Sequence, residues 1–294
     1  VGSEMCIRDR SSRPTYTETE NDLTVKANKR TFIFSKKDGQ LKGVSVDNRK
    51  INFANGPRFI GARRADRSLD QFYNHDDEKA KEKDRTYSEF PDAAVFTKLD
   101  VKEDGGNLVV TANYKLGNLD KAQWTINPSG DLALDYTYNF SGVVDLMGIR
   151  FDYPEDQVIS KRWLGAGPYR VWQNRIHGTQ YDVWENDYND PIPGETFTYP
   201  EFKGYFGDVS WMNIQTKEGT ISLTNETPDT YIGVYQPRDG RDRLLYTLPE
   251  SGISVLNVIP PVRNKVNSTD LCGPSSQPKW VNGPQTGRVI FRFM

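Results

Sequence analysis

From residue 108 to residue 138 the chain reads Leu108-Val-Val-Thr-Ala-Asn-Tyr114, then Ala122-Gln-Trp-Thr-Ile126, then Leu132-Ala-Leu-Asp-Tyr-Thr-Tyr138, with Pro128-Ser-Gly130 before the last run. Each run is short, rich in β-branched and aromatic residues, and bounded by turn formers, which is the signature of strands. The same rhythm extends toward both ends. Leu23-Thr-Val-Lys-Ala27, Thr31-Phe-Ile-Phe34 and Leu41-Lys-Gly-Val-Ser-Val46 lie upstream. Lys37-Asp38-Gly39-Gln40 sits between the last two as a hairpin signal, because Asp-Gly readily adopts the positive φ of a tight turn. Thr220-Ile-Ser-Leu-Thr224, Ile253-Ser-Val-Leu-Asn-Val-Ile259 and Arg288-Val-Ile-Phe-Arg-Phe293 lie downstream. No segment keeps a 3.6-residue apolar period over three turns. Roughly fifteen or more strands without helices predict an all-β fold, two large sheets packed face to face.

Two regions interrupt this rhythm. Arg63 to Glu89 is a charged loop, and its most helix-friendly part, Asp76 to Arg85, is charged nearly throughout and reads as solvated. Trp163 to Trp211 holds Trp163, Trp172, Trp184 and Trp211 among many Gly, Pro, Asn and Asp residues. Long irregular stretches in a compact domain usually carry function.

Composition narrows the function classes. The 294 residues are long enough to bury a core; 36% are apolar, 27% charged and 12% aromatic. Aromatic rings stiffen sheets and also form the platforms on which sugars stack. A net charge of -2, with no basic stripe among the aromatics, gives no basis for nucleic-acid binding. No run approaches the roughly 18 apolar residues of a membrane helix. Cys6 and Cys272 make no disulfide framework, and with His75 and His177 the only histidines, a histidine-rich metal site is not expected. Gly165-Ala-Gly167 has the spacing of a phosphate loop but no helix follows, so no cofactor is expected. Residues 1–11, Val1-Gly-Ser-Glu-Met-Cys-Ile-Arg-Asp-Arg10 and Ser11, read as foreign to the domain. They resemble a read-through tag of translated metagenome assemblies and are expected to lack packed contacts. Residues 12–28 then read as a linker and lead-in strand, and residues 29–294 as the domain proper.

Three segments resemble the small-chain domain of family 2 β-galactosidases. The first is Phe34-Ser-Lys-Lys-Asp-Gly-Gln-Leu-Lys-Gly43 with Gly56-Pro-Arg-Phe-Ile-Gly-Ala-Arg-Arg-Ala-Asp66. The second runs from Met147-Gly-Ile-Arg-Phe151 through Arg162-Trp-Leu-Gly-Ala-Gly-Pro168 to Asn174-Arg175. It is similar to the family signature Trp-x-Gly-x-Gly-Pro-x-Glu-x-Tyr-x-Asp-Arg, with Arg170, Trp172 and Asn174 at the Glu, Tyr and Asp places. The third is Cys272-Gly-Pro-Ser-Ser-Gln-Pro-Lys-Trp280. The resemblance implies a galactose-mutarotase-like supersandwich that follows a (β/α)8 barrel in the full enzyme. A barrel needs about 250 residues of alternating strands and helices, and that pattern is not here. The paired carboxylates of a retaining glycosidase, about 5 Å apart, lie on that barrel in the family. The chain is therefore expected to complete the mouth of an active site without supplying its catalytic groups. Its implied partners are carbohydrate and the barrel and upstream domains of the same enzyme, in a periplasmic or secreted protein.

The resemblance also nominates site residues. A family tryptophan that forms a platform for the sugar falls, in strict register, at Gln277; Trp280 stands three residues on. Either Trp280 takes the role through a reshaped loop or it is a half-buried packing residue. The loop after Arg64-Ala65 would lie near the same mouth, which makes Asp66, Asp70 and His75 candidates for sugar contacts or else parts of a solvated loop. Trp163-Leu-Gly-Ala-Gly-Pro168 reads as architecture, the tryptophan filling space between sheets while the glycines and proline form a tight bend. Asp182, Glu185, Asp187, Glu195 and Glu201 lie among aromatics, but turn chemistry accounts for them without a catalytic pair. Two other readings stand beside the leading one. A stand-alone carbohydrate-binding module would use the aromatics as a cleft. An aldose epimerase would need histidines with a carboxylate, and neither His75 nor His177 sits in a matching motif.

Overall fold

A computed structural model of the chain describes residues 12–64, 87–187, 204–235, 248–261 and 273–294. Among the described residues nineteen strands form, and the only helical pieces are 3-10 turns at Glu155–Gln157 and Pro274–Ser276. In chain order the strands begin with β1 (Thr15–Glu18), β2 (Asp22–Ala27), β3 (Arg30–Ser35), β4 (Leu41–Val46), β5 (Arg49–Ile51) and β6 (Ala54–Arg64). They continue with β7 (Tyr87–Glu89), β8 (Val95–Asp104), β9 (Asn107–Lys115), β10 (Leu119–Ile126), β11 (Leu132–Val144), β12 (Leu146–Asp152) and β13 (Val158–Gly167). The last six are β14 (Gln180–Asn186), β15 (Trp211–Thr216), β16 (Gly219–Asn225), β17 (Tyr231–Val234), β18 (Ile253–Val258) and β19 (Lys279–Phe293).

They pair antiparallel into two sheets. The larger has ten strands in the order β1-β2-β3-β4-β6-β12-β18-β17, with β5 on β4 and β7 on β6. The smaller has nine, β14-β13-β15-β16-β19-β11-β10-β9-β8. The alternation of β10 from Ala122 to Ile126 and the inward residues of β11 explain the pairing of layers. Ala122, Trp124 and Ile126 face the core from β10, as do Leu134, Tyr136 and Tyr138 from β11. Opposite them stand Phe32 and Phe34 from β3, Phe59 from β6 and Ile149 and Phe151 from β12. Rings meet across the interface: Phe34 and Trp124 at 5.9 Å, Phe53 and Phe291 at 5.1 Å between centroids. This is an all-β supersandwich with one continuous core, as the turn-punctuated strands predict. The core takes in Leu23 and Val25 of β2, ahead of residue 29. Residues 1–11 lie outside the described ones.

The larger sheet also buries part of its outer face. Ile60, Ala62, Leu146 and Leu256 point away from the main core and are covered by Val171, Trp172, Tyr205 and Leu248. The cover is pinned by reciprocal backbone hydrogen bonds between Val171 and Tyr205, both 2.8 Å, and between Phe206 and Ile232 of β17, both 2.9 Å. A Cβ on Gly204 would collide with the Val171 carbonyl, so glycine is what allows this close approach.

The sequence reading of Gly165 and Gly167 as a bend is corrected here. Both lie inside β13, and the chain bends only from Pro168. The glycines make room: a side chain at 167 would strike the Trp184 indole, and one at 165 would press on the backbone of Gly207 to Val209. Trp163 does fill the space between the sheets. It is 1% exposed, its indole N–H donates to the Ala166 carbonyl at 3.0 Å, and it packs edge-on against Phe206 at 4.9 Å.

Candidate functional site

Three of the segments singled out in the sequence converge at one end of the sandwich. Register places the end of β6, Ala62, opposite Leu146 of β12, while Val258 at the end of β18 pairs with Met147. Val144 closes β11 opposite Lys279, the first residue of β19. The signature segment arrives at the same place, since the Gln173 N–H donates to the Pro260 carbonyl at 3.1 Å, just beyond β18.

Gln173 organises the approach to β19. Its side chain is buried, and its amide Nε2 donates to two carbonyls of the turn before the strand, Ser275 at 2.9 Å and Gln277 at 2.7 Å. Asn174 adds a hydrogen bond from Nδ2 to the Ser276 hydroxyl at 3.3 Å. One buried glutamine thus ties residues 275 and 277 in place from about a hundred positions away in sequence. Sequence reading passed over Gln173; its position beside Asn174 within the signature was the available signal.

Beyond this turn β11 and β19 run on as a two-stranded ribbon. Residues 139–144 pair with 279–284, past the reach of β10 and β16. Phe140 and Val144 face inward, and Val281 packs against the core. Trp280 is on the other face, opposite Val143, with Asn282 accepting a hydrogen bond from Ser141 at 2.8 Å on the same side. Trp280 is 71% exposed. A ring of that size in water loses stabilisation that burial would supply, so its position is the anomaly of this surface.

Gln277 is half-buried in the braced turn, three residues before Trp280. Asp66, Asp70 and His75 lie outside the described residues, in the stretch that follows Arg64 at the end of β6. Of the carboxylates among the aromatics, Glu195 and Glu201 also lie outside them. Asp182 and Glu185 are exposed on β14 and, three residues apart in a strand, face opposite sides, so they cannot share a reacting bond. Asp187 is exposed just past the strand, and His177 is exposed in the turn before it. Two signature departures prove to be packing: Arg170 sits 5.3 Å over the Phe206 ring and Trp172 meets Tyr205 edge-on at 5.8 Å. Among the described residues no group of three or more His, Cys, Asp or Glu is placed to hold a metal. No helix among them is long and apolar enough to cross a membrane.

The fold matches that of a galactose 1-epimerase from Lactobacillus acidophilus NCFM, with a TM-score of 0.50 at 10% identity over 97% of this chain and 99% of that one. An aldose epimerase homologue from C. elegans aligns over 95% of this chain and 99% of its own, at 7% identity and a TM-score of 0.40. At 10% identity the likeness to the galactose 1-epimerase establishes the galactose-mutarotase-like fold alone. No curated protein matches the chain. The family model for the β-galactosidase small chain matches residues 26–260, which takes in the opening hairpin, the Trp163–Arg175 signature and the cover over the larger sheet. The chain belongs to the β-galactosidase small-chain family.

Proposed function

We propose that this chain is the C-terminal β-sandwich of a family 2, β-galactosidase-like glycoside hydrolase, acting on terminal β-galactosyl or related glycosides. In that reading the end of the sandwich carrying Gln277 and Trp280 meets a catalytic barrel borne elsewhere in the same enzyme. The observation that carries it is Trp280, held out at 71% exposure on a ribbon whose approach turn is fixed by a buried glutamine. A braced aromatic ring facing away from its own core suits a sugar platform better than a packing role. Asp66, Asp70 and His75 would approach the same rim, since they follow the end of β6. The carboxylate pair would come from the barrel.

The test is Trp280→Ala in the complete enzyme. Stacking one sugar face on the ring is worth about 1–2 kcal/mol, so substrate affinity should fall about ten-fold while the melting temperature hardly moves. Unchanged affinity, or unfolding in place of weaker binding, would remove the platform assignment.

A further inference from the structure

The outer face of the larger sheet is covered at one end only. At the other, beyond Arg58 and Arg150, lies an open cleft of about 810 Å³ that also takes in Lys50, Asn52, Asp152 and Ser251. Register separates it from the Trp280 end. Asp152 pairs with Ala54 and Phe151 with Ile253, whereas the Trp280 end belongs to Ala62, Met147 and Val258. Arg58 and Ala62 are four residues apart on one strand, about 13 Å.

Alternation builds the floor. Phe59, Ile149 and Phe151 turn inward, so Arg58 and Arg150, directly opposite one another, both turn outward. Two like charges at such a pair repel unless each has a counter-charge. Asp152 forms an ion pair with Arg58, and Glu89 approaches Arg150 at 3.6 Å, while Arg150 also donates to the Glu250 carbonyl. Even so, the Nε atoms of both arginines and the Ser251 hydroxyl have no hydrogen-bond partner. Ser251 is 2% exposed. Native buried polar atoms seldom lack partners, and three on residues that line one cleft point to polar groups supplied there from outside the chain.

Charge decides what kind of ligand. Lys42, Lys50, Arg58 and Arg150 line the cleft against Asp152, Glu155 and Glu250. Asp22 further neutralises Lys42, and Glu89 faces Arg150. An oxyanion would have to displace carboxylates already in place. A neutral polyol would not: its hydroxyls both donate and accept, matching a wall where arginine, lysine and amide donors alternate with carboxylate acceptors. The volume lies in the range of small-ligand sites. Tyr153 and Tyr235 contribute buried rings whose hydroxyls are committed to Glu218 and to the Pro154 carbonyl, so no aromatic platform is offered. We propose that this cleft is a saccharide-binding site for a neutral mono- or disaccharide held by hydrogen bonds, distinct from the Trp280 end.

The test is titration of this chain with galactose, xylose and lactose, following the backbone amide resonances of Asn52, Asn55, Ser251 and Gly252. At least one sugar should shift these amides to saturation at millimolar concentration. Arg150→Ala should weaken that binding about ten-fold, the worth of one charge-assisted hydrogen bond. Ser251→Ala removes a hydroxyl that bonds to nothing in the protein, so it should weaken binding while leaving the melting temperature unchanged or higher. Trp280→Ala should leave the cleft's affinity intact, which keeps this outcome separate from that of the platform. Absence of saturable shifts with all three sugars would overturn the proposal. So would retained affinity in a folded Arg150→Ala or in Ser251→Ala, or saturation by sodium sulfate in place of the sugars.

Discussion

Trp163 and Trp280 show how little residue type alone decides. One is sealed between the sheets with its indole N–H satisfied; the other stands in solvent. Trp163→Ala should cost about 3–5 kcal/mol, the range for emptying a buried indole site, and denaturant melts will read it directly. Trp280→Ala should leave the same melt almost unchanged. The inward face of Trp163 was legible because Gly165 and Gly167 flank it in a family signature. Trp280 was not, because Gly283 and Pro284 interrupt the alternation after it and a one-residue slip reverses every side chain. Titration adds a second residue-scale expectation. Burial raises the Tyr136 phenol above its ordinary value, and burial, with Tyr136 beside it, raises Tyr138 well above its own. The folded state therefore holds protons that the unfolded chain releases near pH 10. Their stabilisation is complete below about pH 10 and is lost as pH rises above it. Melting temperatures taken from about pH 9 to about pH 12 should fall steeply, and Tyr136→Phe should flatten the decline.

The elements were largely legible and their ends were not. Leu41–Val46 is β4 as read, and Leu108–Tyr114 is β9 to within a residue at each end. β19 is the main departure: Arg288–Phe293 was read, yet the strand starts at Lys279 and includes Gly283, Pro284 and Gly287. Turn formers normally end a strand. Here Pro284 lies in the ribbon, where β16 no longer reaches β19 and the edge asks for no further ladder donor. Gly287 lies opposite Tyr136, and a Cβ there would collide with the phenol ring. Gly287→Ala should therefore destabilise the domain by about 1–3 kcal/mol, as overpacking does, and the loss should shrink in a Tyr136→Phe background if the hydroxyl is the obstacle. Chemical denaturation of the single and double variants checks both statements. The Arg58–Arg150 cleft had no sequence signal, since two arginines 92 positions apart become neighbours only through the pairing of β6 with β12.

At the scale of the molecule, the fold class followed from strand rhythm, but the division of labour across the sandwich did not. One end of the larger sheet's outer face is roofed by Trp172 and Tyr205; the other is open and polar. That asymmetry depends on contacts between residues 171, 205 and 256, which no local pattern announces. The proposed function makes this a domain that would shape a glycosidase site whose carboxylate pair is borne elsewhere. Among the described residues Asp182 and Glu185 face opposite sides of β14, which is an edge strand four places from β19 in its sheet. The most direct measurement is release of nitrophenol from nitrophenyl β-galactoside by this chain alone. The account predicts no release above the buffer rate. Enzyme-like turnover that disappears in Glu185→Gln would contradict it.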